Sequence, residues 1–243
     1  MHRSCQHCGT VLEQPERACP SCGTAQGITV TPEPARMEFR GYAPTIVIHG
    51  REQSSGDTVT RVEAPGASSR SRINERGDIS IALTGAEGVG RSGEARVAKV
   101  LCAHLKAQGN DAEIRPGQDN RGEDRILEAG TSFTLQVVTV PDKSDFWQSA
   151  SISSASTSVP LAQATQWLED SIQKKVKRTP EKNRPEMILA LDANHSASLA
   201  ELGVVNAYLE EFGDPVTRFR LAEVWVVGPT AQQCIRVGSG SIS

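Results

Sequence analysis

The chain has 243 residues, 37% of them hydrophobic, with 26 Lys and Arg against 29 Asp and Glu for a formal charge of −3. That length holds a real core plus an appendage, or two small domains, and a charged fraction of 23% argues against wholesale disorder. The near-neutral balance excludes a histone-like polycation but leaves room for a local basic patch, and no apolar run reaches the ~18–20 residues that span a bilayer.

The first residues, Met1-His2-Arg3-Ser4-Cys5, have no apolar stretch behind them, so no signal peptide is expected and a cytoplasmic, reducing setting follows. There, cysteines read as metal ligands before disulfides. Four of the six fall within the first 22 residues, as Cys5-x2-Cys8-Gly9 and Cys19-x2-Cys22-Gly23. Each glycine lets the backbone turn so that amides face the thiolates. Four thiolates close a tetrahedral shell with no open position, which predicts a structural Zn2+ held by Cys5, Cys8, Cys19 and Cys22. Val11 and Leu12 are nearly the only apolar residues here, so metal binding supplies most of the folding free energy. His2 and His7 are surplus to that shell, and Cys102 and Cys234 sit in apolar runs as core residues. The module, residues 1–27, resembles a short bacterial zinc ribbon. Such ribbons bind DNA, RNA or protein, so the resemblance admits a protein partner.

Residues 28–77 read as a β-rich connector. Thr45 to His49 and Thr58 to Val62 form a small hairpin, and Gly66 to Arg72 reads as a linker. A compact domain is expected over 78–243. Ile79 to Leu83 alternates as a strand. Gly93 to Gln108 is helical, with Val97, Val100, Leu101 and Leu105 on its apolar face and Gly109 as its stop. Ala112 to Arg115 is a short strand. Asp124 to Glu128 and Ser132 to Val140 make a hairpin around Ala129-Gly130-Thr131. Pro160 to Lys177 is an amphipathic helix, and Met187 to Leu191 is a strand buried on both faces. Ser198 to Phe212 is a helix, followed by strands at Ala222 to Val227 and Cys234 to Val237. Phe146 and Trp147 are expected to cap the core. The fold class is α/β, an α+β mixed sheet with helices on its faces.

Two chemistries compete in that domain. Gly85 to Ser92 follows a strand, precedes a helix and fits the Walker-A phosphate loop except that Arg91 replaces the lysine. A planar guanidinium is not equivalent to a compact ammonium there, and Glu87 brings negative charge into an anion cradle. Asp192, ending an apolar strand, would stand in for the metal-holding acid. The plain reading is a Gly-rich loop leading into a helix.

The second chemistry rests on the α-β-β-β-α-β order, with Glu94 opening the first helix, Asp124 beginning the second strand of the order, and Gln136-Val137-Val138 on the third. These residues and that order resemble the core of the PD-(D/E)xK superfamily, which includes restriction endonucleases and their Mrr-type relatives. The resemblance covers roughly residues 85–195. It implies a restriction-endonuclease-like αβββαβ core, DNA as partner and Mg2+-dependent phosphodiester hydrolysis, with a role in defence against foreign DNA. Asp124 and Gln136 would hold the Mg2+, with Glu94 behind them. Val138 stands where the family has its catalytic lysine, and a methyl-terminated side chain cannot orient a nucleophilic water. The resemblance then turns to the helix end Lys174-Lys175, with Lys175 the first choice. Asp192-Ala193-Asn194-His195 also ends a buried strand, where α/β sites gather, although a helix-capping cluster before Ser196 is the preferred reading of it.

Residues 170–185 carry six cations against Asp170 and Glu181, a stretch able to track a phosphate backbone. Family members often act as homodimers because two strands must be cut. The rival readings are an inactive nuclease-like adaptor for DNA or protein, which Val138 favours, and a nucleotide-binding protein using residues 85–92.

Overall fold

The computed structural model describes residues 3–4, 11–12, 46–52, 55–64, 67–84, 89–117, 125–141 and 154–238. Cys5, Cys8, Cys19, Cys22, Asp124, Phe146, Trp147 and the loop 85–88 lie outside the described residues. The chain divides into two compact units, Met1–Glu33 and Pro34–Ser243. In the first, β1 (Arg3–Ser4) and β2 (Val11–Leu12) pair antiparallel, with Ser4 opposite Val11. The ladder brackets the first CxxCG sequence.

The second unit holds two sheets. The antiparallel one is ordered β10-β6-β5-β4-β3 from β3 (Ile46–Arg51), β4 (Thr58–Ala64), β5 (Ala67–Ile73), β6 (Ile79–Thr84) and β10 (Ser154–Val159). The mixed one is ordered β13-β12-β11-β9-β8-β7, from β7 (Ala112–Pro116), β8 (Arg125–Ala129), β9 (Thr131–Thr139), β11 (Met187–Asp192), β12 (Glu223–Val227) and β13 (Cys234–Arg236). β7, β8 and β9 form an antiparallel meander, while β11 runs parallel to both β9 and β12.

All six residues of β11 and all five of β12 are buried, as continuous apolar runs demand when both sheet faces are covered. α1 (Val89–Ala107) covers one face, where Val97, Leu101 and Leu105 join Leu135, Ile188 and Trp225. α2 (Leu161–Arg178) and α3 (Leu202–Phe212) cover the other, where Leu168, Ile172 and Val205 join Leu189, Leu191 and Val226. A short helix α4 (Pro215–Phe219) leads into β12; Asp214 caps it by accepting from the Val216 N–H.

The mixed α/β class and most elements follow the periodicity, and three expectations need correction. Gly66 to Arg72 is no linker: most of it is β5, hydrogen-bonded to both β4 and β6. The sheet that contains 46–73 also contains β6, so no separate connector ends at residue 77. The physical reason lies in its hydroxyls. Ser69 and Ser71 are buried, and Ser71 Oγ donates to Ser198 Oγ at 2.6 Å while accepting from the Ser198 N–H at 2.9 Å. A polar strand can be buried when each of its groups finds a partner. The expected helix over 198–212 is broken in two, a 3-10 turn at Ala197–Ala200 and then α3.

Candidate functional site

Period-2 alternation along β9 assigns the motif residues to faces. Val138 packs against the cluster containing Leu189 and Ile172, so Gln136, in phase with it, looks toward α2. Leu135 and Val137 belong to the opposite, α1 face. Gln136 is 6% exposed and lies level with Leu189 of β11. Glu94 rides on α1, so the sheet stands between it and Gln136. Lys175 is half-buried and Lys174 exposed on α2, on the Gln136 side of the sheet. None of these four residues lacks an interaction partner. The structure therefore shares one face between Gln136 and the helix that carries the lysines, and sets Glu94 apart. Among the described residues no three His, Cys, Asp or Glu side chains gather to hold a metal ion. The Mg2+ expectation also needs Asp124, which lies outside those residues.

The phosphate-loop reading needs its strand and its acid in one sheet. β6, which precedes the loop, belongs to the antiparallel sheet, whereas Asp192 ends β11 of the mixed sheet.

Asp192 is engaged otherwise. In phase with Ile188 and Ala190, it points to the α1 face and meets the Arg96 guanidinium in a close ion pair. Its Oδ1 also accepts from the Asn194 N–H at 3.0 Å. Gly93 allows this approach, because a Cβ there would stand 2.9 Å from Asp192 Oδ2. Arg96 Nη1 reaches the Gly228 carbonyl at 3.5 Å. Beside this pair, Asn194 Nδ2 donates to His195 Nε2 at 3.0 Å, which leaves the ring proton on Nδ1 facing Ser69 Oγ at 3.2 Å. Burial pushes the His195 pKa down to about 4; the Asp192 charge opposes this and Arg96 adds to it. A neutral imidazole that donates to a 6%-exposed serine cannot serve as its general base. The cluster therefore joins β5, the 3-10 turn at 197–200, the end of β11 and α1 rather than activating a nucleophile.

Sequence reasoning singled out Asp192 and His195 but not Arg96. The signal was present: Arg96 lies four residues before Val100 on the apolar face of α1, and a charge there calls for a buried counter-ion. A depression of about 460 Å3 on the antiparallel sheet is lined by Arg72, Asn74, Asp78, Ser80 and Ser158, among others. Arg72 is held there by Asp57, and Asn74 and Asp78 bond to each other at 3.1 Å.

No family model, curated protein or solved structure matches the chain. Among the described residues no helix is long and apolar enough to cross a membrane.

Proposed function

We propose that this chain is a cytoplasmic DNA-binding protein whose mixed sheet follows the nuclease-like α-β-β-β-α-β plan without a working hydrolytic centre. The observation that carries the reading is the environment of Val138. It packs against the apolar cluster beneath α2, at the position where the resemblance would put the catalytic lysine. The separation of Glu94 and Gln136 by the sheet supports it further. Plasmid and linear DNA incubated with Mg2+ or Mn2+ should stay uncut above the background of Asp124→Ala, while salt-sensitive duplex binding is retained. Cleavage that Asp124→Ala abolishes overturns the reading.

Such cleavage would support a second reading, Mg2+-dependent hydrolysis with Asp124 and Gln136 at the metal and Lys175 assisting the water. The element order favours it: in the mixed sheet and its helices, α1, β7, β8, β9, α2 and β11 follow the α-β-β-β-α-β order on which the resemblance rests.

The four amino-terminal cysteines suit Zn2+, since paired CxxCG knuckles supply a full thiolate shell and β1 and β2 bracket the first of them. Bound Zn2+ would contribute cross-linking, not catalysis. Native mass spectrometry should find one zinc per chain, lost when Cys5 and Cys8 become serine.

A further inference from the structure

On one face of the antiparallel sheet, three polar side chains stand level on adjacent strands. Arg72 of β5 lies opposite Ser80 of β6, and Ser80 lies opposite Ser158 of β10. Period 2 puts Ser69 and Ser71 on the other face, where Ser69 meets His195 and Ser71 bonds to Ser198. Ser80 and Ser158 are not used in that way: among the described residues neither hydroxyl has a hydrogen-bond partner. Beyond this row come Asn74 and Asp78, from the turn between β5 and β6, and Pro160 after β10. Together they line the depression of about 460 Å3. That volume falls among the ~300–1,000 Å3 of small-molecule sites.

The two charged lining groups are held by neighbours. The buried Asp57 takes Nε and Nη2 of Arg72 and leaves Nη1 open. Asn74 Oδ1 accepts from the Arg76 and Asp78 N–H groups, both at 2.9 Å. Its Nδ2 donates to Asp78 Oδ2 at 3.1 Å, which leaves Asp78 Oδ1 open. The lining therefore presents a fixed donor, a fixed acceptor and two hydroxyls able to do either. Groups fixed before binding lose little freedom when a ligand arrives.

Charge narrows the class of ligand. Asp57 and Asp78 set two carboxylates against one guanidinium, which disfavours an anion. An ammonium group would suit Asp78 but leave the Arg72 Nη1 donor covered without an acceptor. None of the lining residues is aromatic, so a nucleobase finds no stacking surface. A neutral sugar meets each condition. Its hydroxyls both donate and accept, and the C–H face of its ring can lie on the exposed Pro160.

We propose that this depression is a binding site for a neutral sugar, held by Arg72, Asp78, Ser80 and Ser158. The assignment is independent of the DNA-binding reading. Its test is saturation-transfer NMR on the full-length protein with D-glucose, D-galactose, D-ribose and maltose, followed by titration of those that respond. Inorganic phosphate and glycine serve as charged comparators. The site variant is Ser80→Ala with Ser158→Ala. The control is Ser68→Ala with Ser156→Ala, exposed serines on the same face but outside the depression. None of the four serine positions is buried, so both variants should melt like the wild type.

At least one sugar should bind, shifting the amide signals of Ser80 and Ser158. Loss of two hydrogen bonds should weaken it about tenfold in the site variant and leave the control unchanged. A site variant that binds like the wild type, equal weakening in both variants, or shifts confined to other strands would each overturn the location. Phosphate or glycine binding there more tightly than every sugar overturns the ligand class. No transfer to any of the four sugars at millimolar concentration removes the proposal and leaves the DNA reading untouched.

Discussion

Glu169 in the helical layer and Asp192 at the end of β11 are both buried carboxylates facing an arginine, at 1% and 4% exposure. Their surroundings differ in kind. Glu169 is enclosed by side-chain donors alone: Arg218 from α4 with both Nη atoms (2.6 and 3.1 Å), the Tyr208 hydroxyl from α3 (2.7 Å) and Gln173 from its own helix (2.7 Å). Burial pushes its carboxyl up, yet the bonds from Arg218, Gln173 and Tyr208 and the Arg218 charge outweigh that and hold it below the ordinary carboxylate range. Asp192 has one guanidinium and one backbone N–H, and a neutral imidazole sits beside it. The first arrangement binds three helices to one another. The second gathers segments of both sheets around a strand end. A buried charge persists only where donors surround it, and the two sites meet that demand by different routes.

Removing the guanidinium should separate the two most strongly. Arg218→Ala leaves Glu169 buried with two neutral donors and should cost about 3–5 kcal/mol of unfolding free energy. Arg96→Ala leaves Asp192 its backbone donor at a more open strand end and should cost about 2–3 kcal/mol. Urea titration of both variants orders them, and a larger loss for Arg96→Ala would reverse the comparison.

The pH dependence separates them next. The folded His195 pKa, about 4, lies below its ordinary value of 6.5. Between those values the unfolded chain binds more protons than the folded one. Stability from this residue is therefore complete above about pH 6.5 and falls on acidification toward pH 4, by about 3 kcal/mol. Glu169 is also depressed, from 4.5, so its contribution is present above that value and is lost only at lower pH. His195→Gln should remove the slope between pH 6.5 and 4 and keep the one below it. A variant with the wild-type slope in the upper window would place the titration elsewhere.

Two glycines sharpen the contrast on a smaller scale. A Cβ at Gly93 would crowd Asp192 Oδ2, so Gly93→Ala should cost about 1–2 kcal/mol by displacing the pair. At Gly203, in α3, a Cβ meets nothing within 4 Å. Gly203→Ala should therefore raise stability by up to about 1 kcal/mol. Melting curves that move in the same direction would refute the account of crowding at Asp192.

The mixed sheet was legible because burial on both faces forces continuous apolar runs, as in Met187 to Leu191. β5 and β10 were not, because Ser-rich strands carry no hydrophobic alternation; Ser71 is buried by a hydroxyl pair 127 residues away in sequence. The motif residues were legible as types but not as faces. Gln136 and Glu94 differ in which side of the sheet they occupy, and that depends on which helix covers which face. The Arg96–Asp192 pair spans 96 residues, a separation no local pattern records.

Effects of similar size test how the antiparallel sheet is held to the turn at 197–200. Ser71 Oγ both donates to Ser198 Oγ and accepts from the Ser198 N–H. Ser71→Ala leaves that buried N–H without its acceptor, whereas Ser198→Ala removes only the hydroxyl partner and keeps the N–H bonded to Ser71. The first should cost about 1–2 kcal/mol and the second about half as much. In the double variant, Ser198→Ala should add almost nothing to Ser71→Ala, because the hydroxyl it deletes has already lost its donor. If the two single losses simply add, the hydroxyls act independently, and the sheet is held by the apolar contacts of Ile79 and Ile81 instead.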